Sequence, residues 1–212
     1  MGARYNFSHY YRTQKILQSS FTKYLFYIWA TKNMEHFYQI TNGEDWFTYP
    51  NLYSEMVRLS PNRSHFVEVG VWKGRSAAYL AVEIINSGKE ISLDLVDTWE
   101  GSEEHQPMMY NLFDVFQENI KPVRDYVNIK QMDSLSAALS YEDKSLDFVF
   151  IDAAHDYESV KADIKAWLPK IKSGGYLAGH DYPSWEGVTK AVNEIFGEEN
   201  IVSSESCWLY SV

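Results

Sequence analysis

Strand-like and helix-like segments alternate along the chain from about residue 65 onward. The run Leu146–Ile151 is apolar over the length of a buried strand, whereas Ala77, Leu80, Ala81 and Ile84 recur at helical spacing. Successive strand-like segments lie roughly 25–30 residues apart, which leaves room for a helix between them. This alternation predicts βαβ units and an α/β fold with a doubly wound, mostly parallel sheet.

The individual elements follow from the positions of apolar runs and glycines. The predicted strands are 65–69, 91–96, 126–131, 146–151 and 176–179, with two short strands in 201–212 joined near Glu205-Ser206. The predicted helices are 76–86, 134–140, 160–171 and 188–196, and Gly174-Gly175 are expected to end the third. In such sheets ligands bind beyond the carboxyl ends of the strands, so the residues just after each strand are the candidates for function.

Charge and cysteine content exclude several classes of protein. The 212 residues carry a formal net charge of −10, which makes nucleic acid a poor partner. The single cysteine excludes an internal disulfide framework and a multi-cysteine zinc site. The apolar run 24–30 is far shorter than the ~20 residues that a membrane span needs. We therefore expect a soluble, cytoplasmic protein that could form a homo-oligomer.

The first 48 residues differ from the rest of the chain. They are rich in aromatic residues with interspersed Lys and Arg, and they contain no clean strand pattern. We predict an N-terminal helical extension over 1–48, with helices around 8–30 and 33–40. A membrane-surface or dimerisation element is the alternative. Asn42-Gly43 and Pro50-Asn51 are turn signals leading into the main domain, residues 49–212.

A glycine-containing turn follows the first predicted strand. In Glu68-Val-Gly70-Val-Trp-Lys-Gly74-Arg-Ser76 the glycines would let the backbone approach a ligand, and the next helix offers free N–H groups. The spacing does not fit a P-loop, and the middle glycine of a dinucleotide-binding fingerprint is absent. Glycines also serve tight turns, so the motif alone is not specific.

Polar residues also follow the second and third predicted strands. Asp97, followed by Thr98, is placed to accept hydrogen bonds from ribose hydroxyls, although it could instead stabilise a turn. Asp133-Ser134 could bond an adenine ring, or could cap the helix that begins there. The two roles of Asp133-Ser134 are compatible.

Two carboxylates and two imidazoles follow the fourth and fifth predicted strands. Asp152 and His155 come after one strand, and His180 and Asp181 come after the next. Adjacent strands lie ~4.8 Å apart, so the two carboxylates could share one cation. Isolated, the aspartates would be turn or cap residues, but two converging like charges favour a bound metal.

With these motifs in this order, the sequence resembles the class I S-adenosylmethionine (SAM)-dependent methyltransferases. It is most similar to the bacterial small-molecule group that includes macrocin O-methyltransferase-like and cephalosporin-hydroxylase-like proteins. The motifs that carry the resemblance are VEVGVWKGRS (67–76), DLVDTWEGS (94–102) and VFIDAAHDYESVKADIKAWLPKIKSGGYLAGHDY (149–182). The resemblance implies a Rossmann-like sheet of seven strands with the last strand antiparallel.

The resemblance also assigns residues to the cofactor. Glu68, Gly70 and Gly74 would hold its methionine part, Asp97 its ribose, and Asp133-Ser134 its adenine. The full set of implied cofactor-binding residues is Glu68, Gly70, Gly74, Ser76, Asp97, Thr98, Asp133, Ser134 and Asp152.

In metal-using relatives, residues matching Asp152 and the pair His180-Asp181 bind magnesium. This chain has His-Asp where relatives often have two acids, and an imidazole ligand shifts the preference from magnesium toward manganese, iron or zinc. Asp152, His155 and His180 are the implied catalytic residues. His180 is a ligand or a base, and His155 is a base or a neighbour of the sulfonium.

The function predicted on these grounds is methyl transfer from SAM to a hydroxyl of a small molecule, with a magnesium or manganese ion as a further component. The segment Trp99–Tyr110, with Glu100, Glu103, Glu104 and His105, is expected to contact the acceptor or to pack as a lid. A nucleotide-dependent oxidoreductase and a non-catalytic SAM-binding domain are the alternatives.

Overall fold

The structure is a computed structural model that describes residues 34–38, 46–101 and 111–212. The chain divides into two compact units, Met1–Glu35 and His36–Val212, and the second unit holds the sheet. No helix in these described ranges is long and apolar enough to cross a membrane. The predicted helix 8–30 lies outside the described residues, and the predicted domain boundary after residue 48 stays a prediction.

Seven strands and six α-helices make up the described part of the second unit. The strands are β1 His65–Val69, β2 Ser92–Asp97, β3 Asn128–Gln131, β4 Leu146–Ile151, β5 Ile171–Gly179, β6 Val202–Ser204 and β7 Cys207–Ser211. The helices are α1 Pro50–Leu59, α2 Arg75–Ser87, α3 Leu112–Asn119, α4 Ser134–Leu139, α5 Tyr157–Trp167 and α6 Glu186–Phe196. Short 3₁₀ turns occupy Lys121–Tyr126, Leu168–Lys170 and Glu198–Asn200.

The strands form one mixed sheet in the order β3-β2-β1-β4-β5-β7-β6. β1 to β5 pair in parallel, while β7 runs antiparallel to both β5 and β6. This confirms the prediction of a seven-stranded sheet that is mostly parallel with its last strand antiparallel. The strand order reverses between β1 and β4, which places the ligand-binding crevice of such a sheet at the carboxyl ends of these two strands.

The side chains of β1 alternate between the two covered faces of the sheet. Val67 and Val69 belong to the apolar core that α5 and α6 cover with Ile164, Trp167 and Val188. Phe66 and Glu68 point to the opposite face, where α1 packs on α2. Because both faces are covered, β1 is buried along most of its length, as expected for a central parallel strand.

The fifth strand begins earlier than predicted, and the helix before it ends earlier. α5 ends at Trp167, since Pro169 has no N–H to donate and its ring obstructs further helix. The prediction that Gly174-Gly175 end this helix is therefore wrong. These glycines lie inside β5, where the pairing with β4 is irregular between Leu146 and Phe148. A Cβ at Gly175 would lie 2.8 Å from the Asp147 carbonyl oxygen.

Two further predictions about the N-terminal side need correction. Pro50 begins α1 as its first residue instead of marking a turn, since proline suits the first helical position. Residues 34–38 of the predicted helix 33–40 are not helical. His36 stacks on Tyr79 at 4.2 Å, and the Tyr38 hydroxyl donates to the Lys73 carbonyl. Such tertiary contacts outweigh a weak local preference for helix.

Asp94 provides a test of how the sheet is stabilised. Burial opposes its charge, but the imidazole of His65, 3.1 Å away, and hydrogen bonds from Tyr141 and Asn128 outweigh this and lower the pKa of Asp94 to about 2. Because the pKa is lowered on folding, the charged carboxylate stabilises the protein above the unfolded pKa of about 4, and this stabilisation is lost as the pH falls toward 2. We expect Asp94→Asn to lower the free energy of unfolding by about 2 kcal/mol at pH 7 and by much less near pH 2.

Urea denaturation of both proteins across this pH range measures the difference. Asp125→Asn, which changes an exposed carboxylate, serves as the control and should leave stability nearly unchanged. An equal cost of Asp94→Asn at both ends of the range would contradict the prediction.

Candidate functional site

Backbone hydrogen bonds join the carboxyl ends of four strands in one row. The Gly70 N–H donates to the Val96 carbonyl, the Asp152 N–H to the Val69 carbonyl, and the His180 N–H to the Ile151 carbonyl. Each bond links a residue just after one strand to the end of its neighbour. The structure therefore brings the glycine turn, Asp97, Asp152 and His180 together at the topological switch point, as the sequence predicted.

Gly70 and Gly74 are required by the packing of the protein itself. Both have a positive φ, 84° and 85°, which is the region that glycine adopts without strain. A Cβ at Gly70 would lie 1.9 Å from the Asp152 carbonyl oxygen, and one at Gly74 would lie 2.7 Å from the Ile120 side chain. The glycines thus allow the turn to lie against β4 and against the segment after α3.

The Asp97 carboxylate holds the glycine turn in place. Its Oδ2 accepts the N–H groups of Val71 at 2.7 Å and Trp72 at 2.9 Å, and its Oδ1 accepts that of Trp99 at 2.7 Å. A carboxylate offers about four acceptor positions, so about one remains, on Oδ1. Asp97 therefore acts as the turn-stabilising residue that the sequence allowed, and its predicted contact with ribose stays a prediction.

The residues after β2 and β3 also serve local structure. Thr98 Oγ1 accepts the Glu100 N–H at 3.2 Å. Asp133 is exposed and caps α4 by accepting the Ser136 N–H at 2.8 Å, and these bonds lower the pKa of Asp133. Ser134 Oγ accepts the Trp167 indole N–H at 2.9 Å. The capping role predicted for Asp133-Ser134 is present, and the adenine contact stays a prediction.

Glu68 is a buried acid beside the glycine turn. Ser76 donates its hydroxyl to Glu68 Oε1, while Oε2 has no hydrogen-bond partner among the described residues. The Tyr53 hydroxyl approaches without a hydrogen bond of normal geometry. Burial raises the pKa of Glu68 to about 8, so the group is mostly neutral at pH 7. An unpartnered buried oxygen at this place fits a residue that bonds a polar group of the cofactor.

Asp152, His155, His180 and Asp181 form one cluster at the ends of β4 and β5, referred to below as the Asp–His cluster. His155 Nε2 lies 3.0 Å from Asp181 Oδ2. His180 Nδ1 lies 3.3 Å from Asp181 Oδ1 and 3.6 Å from Asp152 Oδ1. All four side chains are half-buried. The structure thus gathers every residue that the sequence predicted for catalysis and metal binding at this edge.

The cluster is electrostatically balanced by its histidines. Burial opposes the charge of Asp181, but hydrogen bonds from His155 and His180 outweigh it and hold the pKa of Asp181 well below its usual range. Burial also opposes the charge of His180, yet Asp152 and Asp181 raise the pKa of His180 to about 9. Asp181 therefore remains charged beside the imidazolium of His180.

The donor set of the cluster fits a divalent cation. Asp152, His155 and Asp181 each offer one ligand atom, and these atoms lie within 4.8 Å of one another. His180 Nδ1 faces the same two carboxylates but is not part of this convergent set, so the predicted role of His180 as a ligand stays a prediction. Two carboxylates and an imidazole suit manganese, iron or zinc better than an all-oxygen set would. His155 as a ligand was not predicted, although its position three residues after Asp152 is a signal that could have indicated it.

The segment just before α1 covers the Asp–His cluster, which sequence reasoning missed. The Tyr49 hydroxyl donates to Asp152 Oδ2 at 2.9 Å, and Thr48 Oγ1 lies 3.0 Å from His180 Nε2. On another side, the exposed ring of Trp185 stacks on His155 with centroids 4.3 Å apart. No periodicity connects residues 48 and 49 to residues more than 100 positions away, so these contacts could not be read from the sequence.

The predicted acceptor loop is only partly described. Glu103, Glu104 and His105 lie outside the described residues. Trp99 is buried against Phe113 and Phe116. It therefore packs in the interior, which agrees with the packing role that was the alternative to an acceptor contact.

Comparison with known proteins places this arrangement in a family. A family model described as a methyltransferase domain matches residues 67–182, more than half of the chain. A curated protein from Sinorhizobium fredii, described as uncharacterized, is 28% identical over 126 residues. That match covers 58% of this chain but only 13% of the relative.

Solved structures share the fold at low sequence identity. The O-methyltransferase NovP has a TM-score of 0.60 at 16% identity and covers 77% of this chain and 79% of its own. An O-methyltransferase from Bacillus cereus in complex with S-adenosylhomocysteine (SAH) has a TM-score of 0.55 at 19% identity. The match covers 92% of this chain and 91% of the Bacillus cereus chain. A SAM-dependent O-methyltransferase from Thermotoga maritima has a TM-score of 0.51 at 16% identity and covers 72% and 51%.

The role of Asp97 can be tested by binding of SAH. Asp97→Ala removes the acceptor of three backbone N–H groups, so the glycine turn loses its anchor along with any ribose contact. We expect the Kd for SAH to rise at least about tenfold, which corresponds to ~1.4 kcal/mol. Isothermal titration calorimetry measures the Kd, with Asp125→Ala as an exposed control. Unchanged affinity in Asp97→Ala would reject both the ribose role and the anchoring role.

Proposed function

Because the chain belongs to the methyltransferase-domain family, we propose that it is a SAM-dependent enzyme that methylates a hydroxyl group of a small molecule with the help of a divalent cation. The observation that carries this proposal is the Asp–His cluster at the carboxyl ends of β4 and β5. The cluster lies directly beside the glycine turn, since Gly70 contacts the backbone of Asp152. A domain that only binds a cofactor has no need for two carboxylates and two imidazoles at this position.

The cofactor and the chain contribute different parts of the chemistry. When bound, SAM supplies an activated methyl group on its sulfonium. Glu68, with its unpartnered Oε2, and Asp97, with about one open acceptor position, are the residues proposed to hold it. Asp133-Ser134 at the end of β3 are proposed to flank the adenine. The proposed cofactor set is completed by Gly70, Gly74, Ser76, Thr98 and Asp152.

The Asp–His cluster explains why a hydroxyl is the proposed acceptor. A hydroxyl attacks efficiently only when its proton is removed, and an imidazole at this position can accept a proton. Asp152, Asp181 and a histidine are proposed to hold a cation, which when bound lowers the pKa of a coordinated hydroxyl. His155, whose ring is oriented by Asp181 and by Trp185, is the candidate proton acceptor. His180, which is protonated while no cation is bound, would act as a ligand or base only after a cation had displaced its proton.

A small acceptor fits the surroundings of the cluster. Trp185 exposes 42% of its surface at the rim, and an exposed indole face can stack on a ring. A net charge of −10 disfavours a nucleic acid acceptor. NovP and the Bacillus cereus protein are O-methyltransferases, which supports oxygen as the methylated atom. A cytoplasmic location and a homo-oligomeric state stay predictions.

The alternative functions are disfavoured on specific grounds. A nucleotide-dependent oxidoreductase would need the middle glycine that the turn lacks, and the family match is to methyltransferases. A non-catalytic SAM-binding domain would bind SAH but transfer no methyl group to any acceptor. The activity experiment therefore distinguishes this second alternative from the proposed enzyme.

The proposal predicts cation-dependent methyl transfer. We expect SAH to form when the protein is supplied with SAM, Mn²⁺ or Mg²⁺ and a panel of phenols, sugars and hydroxy acids, measured by mass spectrometry. EDTA should abolish the activity and added Mn²⁺ should restore it. Asp181→Asn should lower the rate at least about 100-fold, in the range seen when a group acting on the transition state is lost.

Glu186→Gln is the matched control, because Glu186 is an exposed acid only five residues from Asp181 and should leave the rate unchanged. Activity that survives both EDTA and Asp181→Asn would remove the cation from the mechanism. SAH binding without transfer to any member of the panel would favour the non-catalytic alternative.

A further inference from the structure

Residues 46–49 form a short strap that crosses the Asp–His cluster just before α1 begins. Two consecutive residues of the strap reach the cluster. Thr48 Oγ1 lies 3.0 Å from His180 Nε2 and also donates to the Glu205 carbonyl oxygen at 3.0 Å. Tyr49 donates its hydroxyl to Asp152 Oδ2 at 2.9 Å.

The hydrogen bonds of Thr48 determine whether His180 Nε2 donates to the strap or accepts from it. A threonine hydroxyl has one hydrogen, and a backbone carbonyl can only accept. The Thr48 hydrogen is therefore directed to Glu205, so toward His180 the Thr48 oxygen acts as the acceptor. It follows that His180 Nε2 carries the hydrogen in this contact and that Nδ1 is the nitrogen that faces the carboxylates of Asp152 and Asp181.

In the same way, the Tyr49 hydroxyl determines which carboxylate oxygen of Asp152 faces His180. Its hydroxyl occupies Oδ2, which leaves Oδ1 as the oxygen directed toward His180 Nδ1, 3.6 Å away. The Tyr49 ring is only 2% exposed and packs on Phe150 and His180, with ring centroids 4.6 and 4.8 Å apart. A buried ring packed on two sides has little freedom, so the direction of its hydroxyl is well defined.

We propose that Thr48 and Tyr49 are positioning residues that hold His180 Nδ1 and Asp152 Oδ1 toward the place where the divalent cation binds. This inference rests on the cation site of the proposed function. In metal sites, the second ring N–H of a ligating histidine is usually hydrogen-bonded, and ligating carboxylates are as well. Loss of such an outer contact costs about 10–100-fold in metal affinity.

The chain offers matched variants for both residues. Thr48→Val removes the hydroxyl with little change in volume, whereas Thr48→Ser keeps it. Tyr49→Phe removes one hydrogen bond and keeps the packed ring. Tyr53→Phe is the control for the aromatic change, because Tyr53 is also fully buried and its hydroxyl has no hydrogen-bond partner among the described residues.

The experiment measures Mn²⁺ affinity directly, by electron paramagnetic resonance of free Mn²⁺, alongside the Kd for SAH by calorimetry. We expect Thr48→Val and Tyr49→Phe to weaken Mn²⁺ binding about 10–100-fold while the Kd for SAH stays at the wild-type value. Thr48→Ser and Tyr53→Phe should retain wild-type Mn²⁺ affinity. Thermal unfolding confirms that each variant is folded.

Each contrary result has a distinct meaning. Wild-type Mn²⁺ affinity in Thr48→Val and Tyr49→Phe would overturn the positioning role and leave the cation site standing. An equal loss in Thr48→Ser and Thr48→Val would also overturn it, since packing and not the hydroxyl would then be responsible. A wild-type protein that binds SAH but no Mn²⁺ would overturn this inference together with the cation site, while methyl transfer from SAM would stand.

Discussion

The carbonyl oxygen of Asp152 lies where a side chain at residue 70 would have to be. A Cβ on Gly70 would come within 1.9 Å of it, so the end of β1 and the end of β4 can meet only because residue 70 is glycine. This close approach places the glycine turn next to the Asp–His cluster, about one strand spacing away. A cofactor lying along the turn and an acceptor lying at the cluster would therefore be direct neighbours, which is the arrangement that a group transfer requires.

The acidic side chains around this junction lie in two different environments. Glu68 lies on the buried face of β1 beneath α1, where lack of solvent keeps it mostly neutral at pH 7. Asp152 and Asp181 lie at the strand ends, where His155 and His180 face them. Desolvation acts on both Glu68 and Asp181, but only Asp181 has histidine partners, and their hydrogen bonds hold its pKa well below the usual range. A mostly protonated acid on β1 and an ionised carboxylate after β5 thus coexist at this edge of the sheet.

The sequence predicted those parts of the structure that depend on local pattern. β4 was predicted to its exact residues, because Leu146–Ile151 is a buried central strand with a continuous apolar run, and the tail hairpin was predicted with its turn at Glu205-Ser206. The predicted end of α5 was wrong because Pro169 ends this helix before the glycines at 174–175 are reached. The strap could not be predicted, since Thr48 and Tyr49 meet partners 132 and 103 positions away, and such contacts exist only once the sheet has formed.

The tip of the β6–β7 hairpin meets the strap and the segment after β5 through main-chain oxygens, and the Glu205 side chain also accepts from Asn51 at the start of α1. Glu205 and Ser206 both have a positive φ at its tip; the Glu205 carbonyl accepts from Thr48, and the Ser206 carbonyl accepts from the Tyr182 N–H. Because the accepting atoms are main-chain oxygens, most side-chain replacements at the tip that tolerate this conformation would preserve both bonds. A single inserted or deleted residue would displace both oxygens at once. The length of this hairpin, more than its composition, is therefore the property that descendants of this chain would have to conserve.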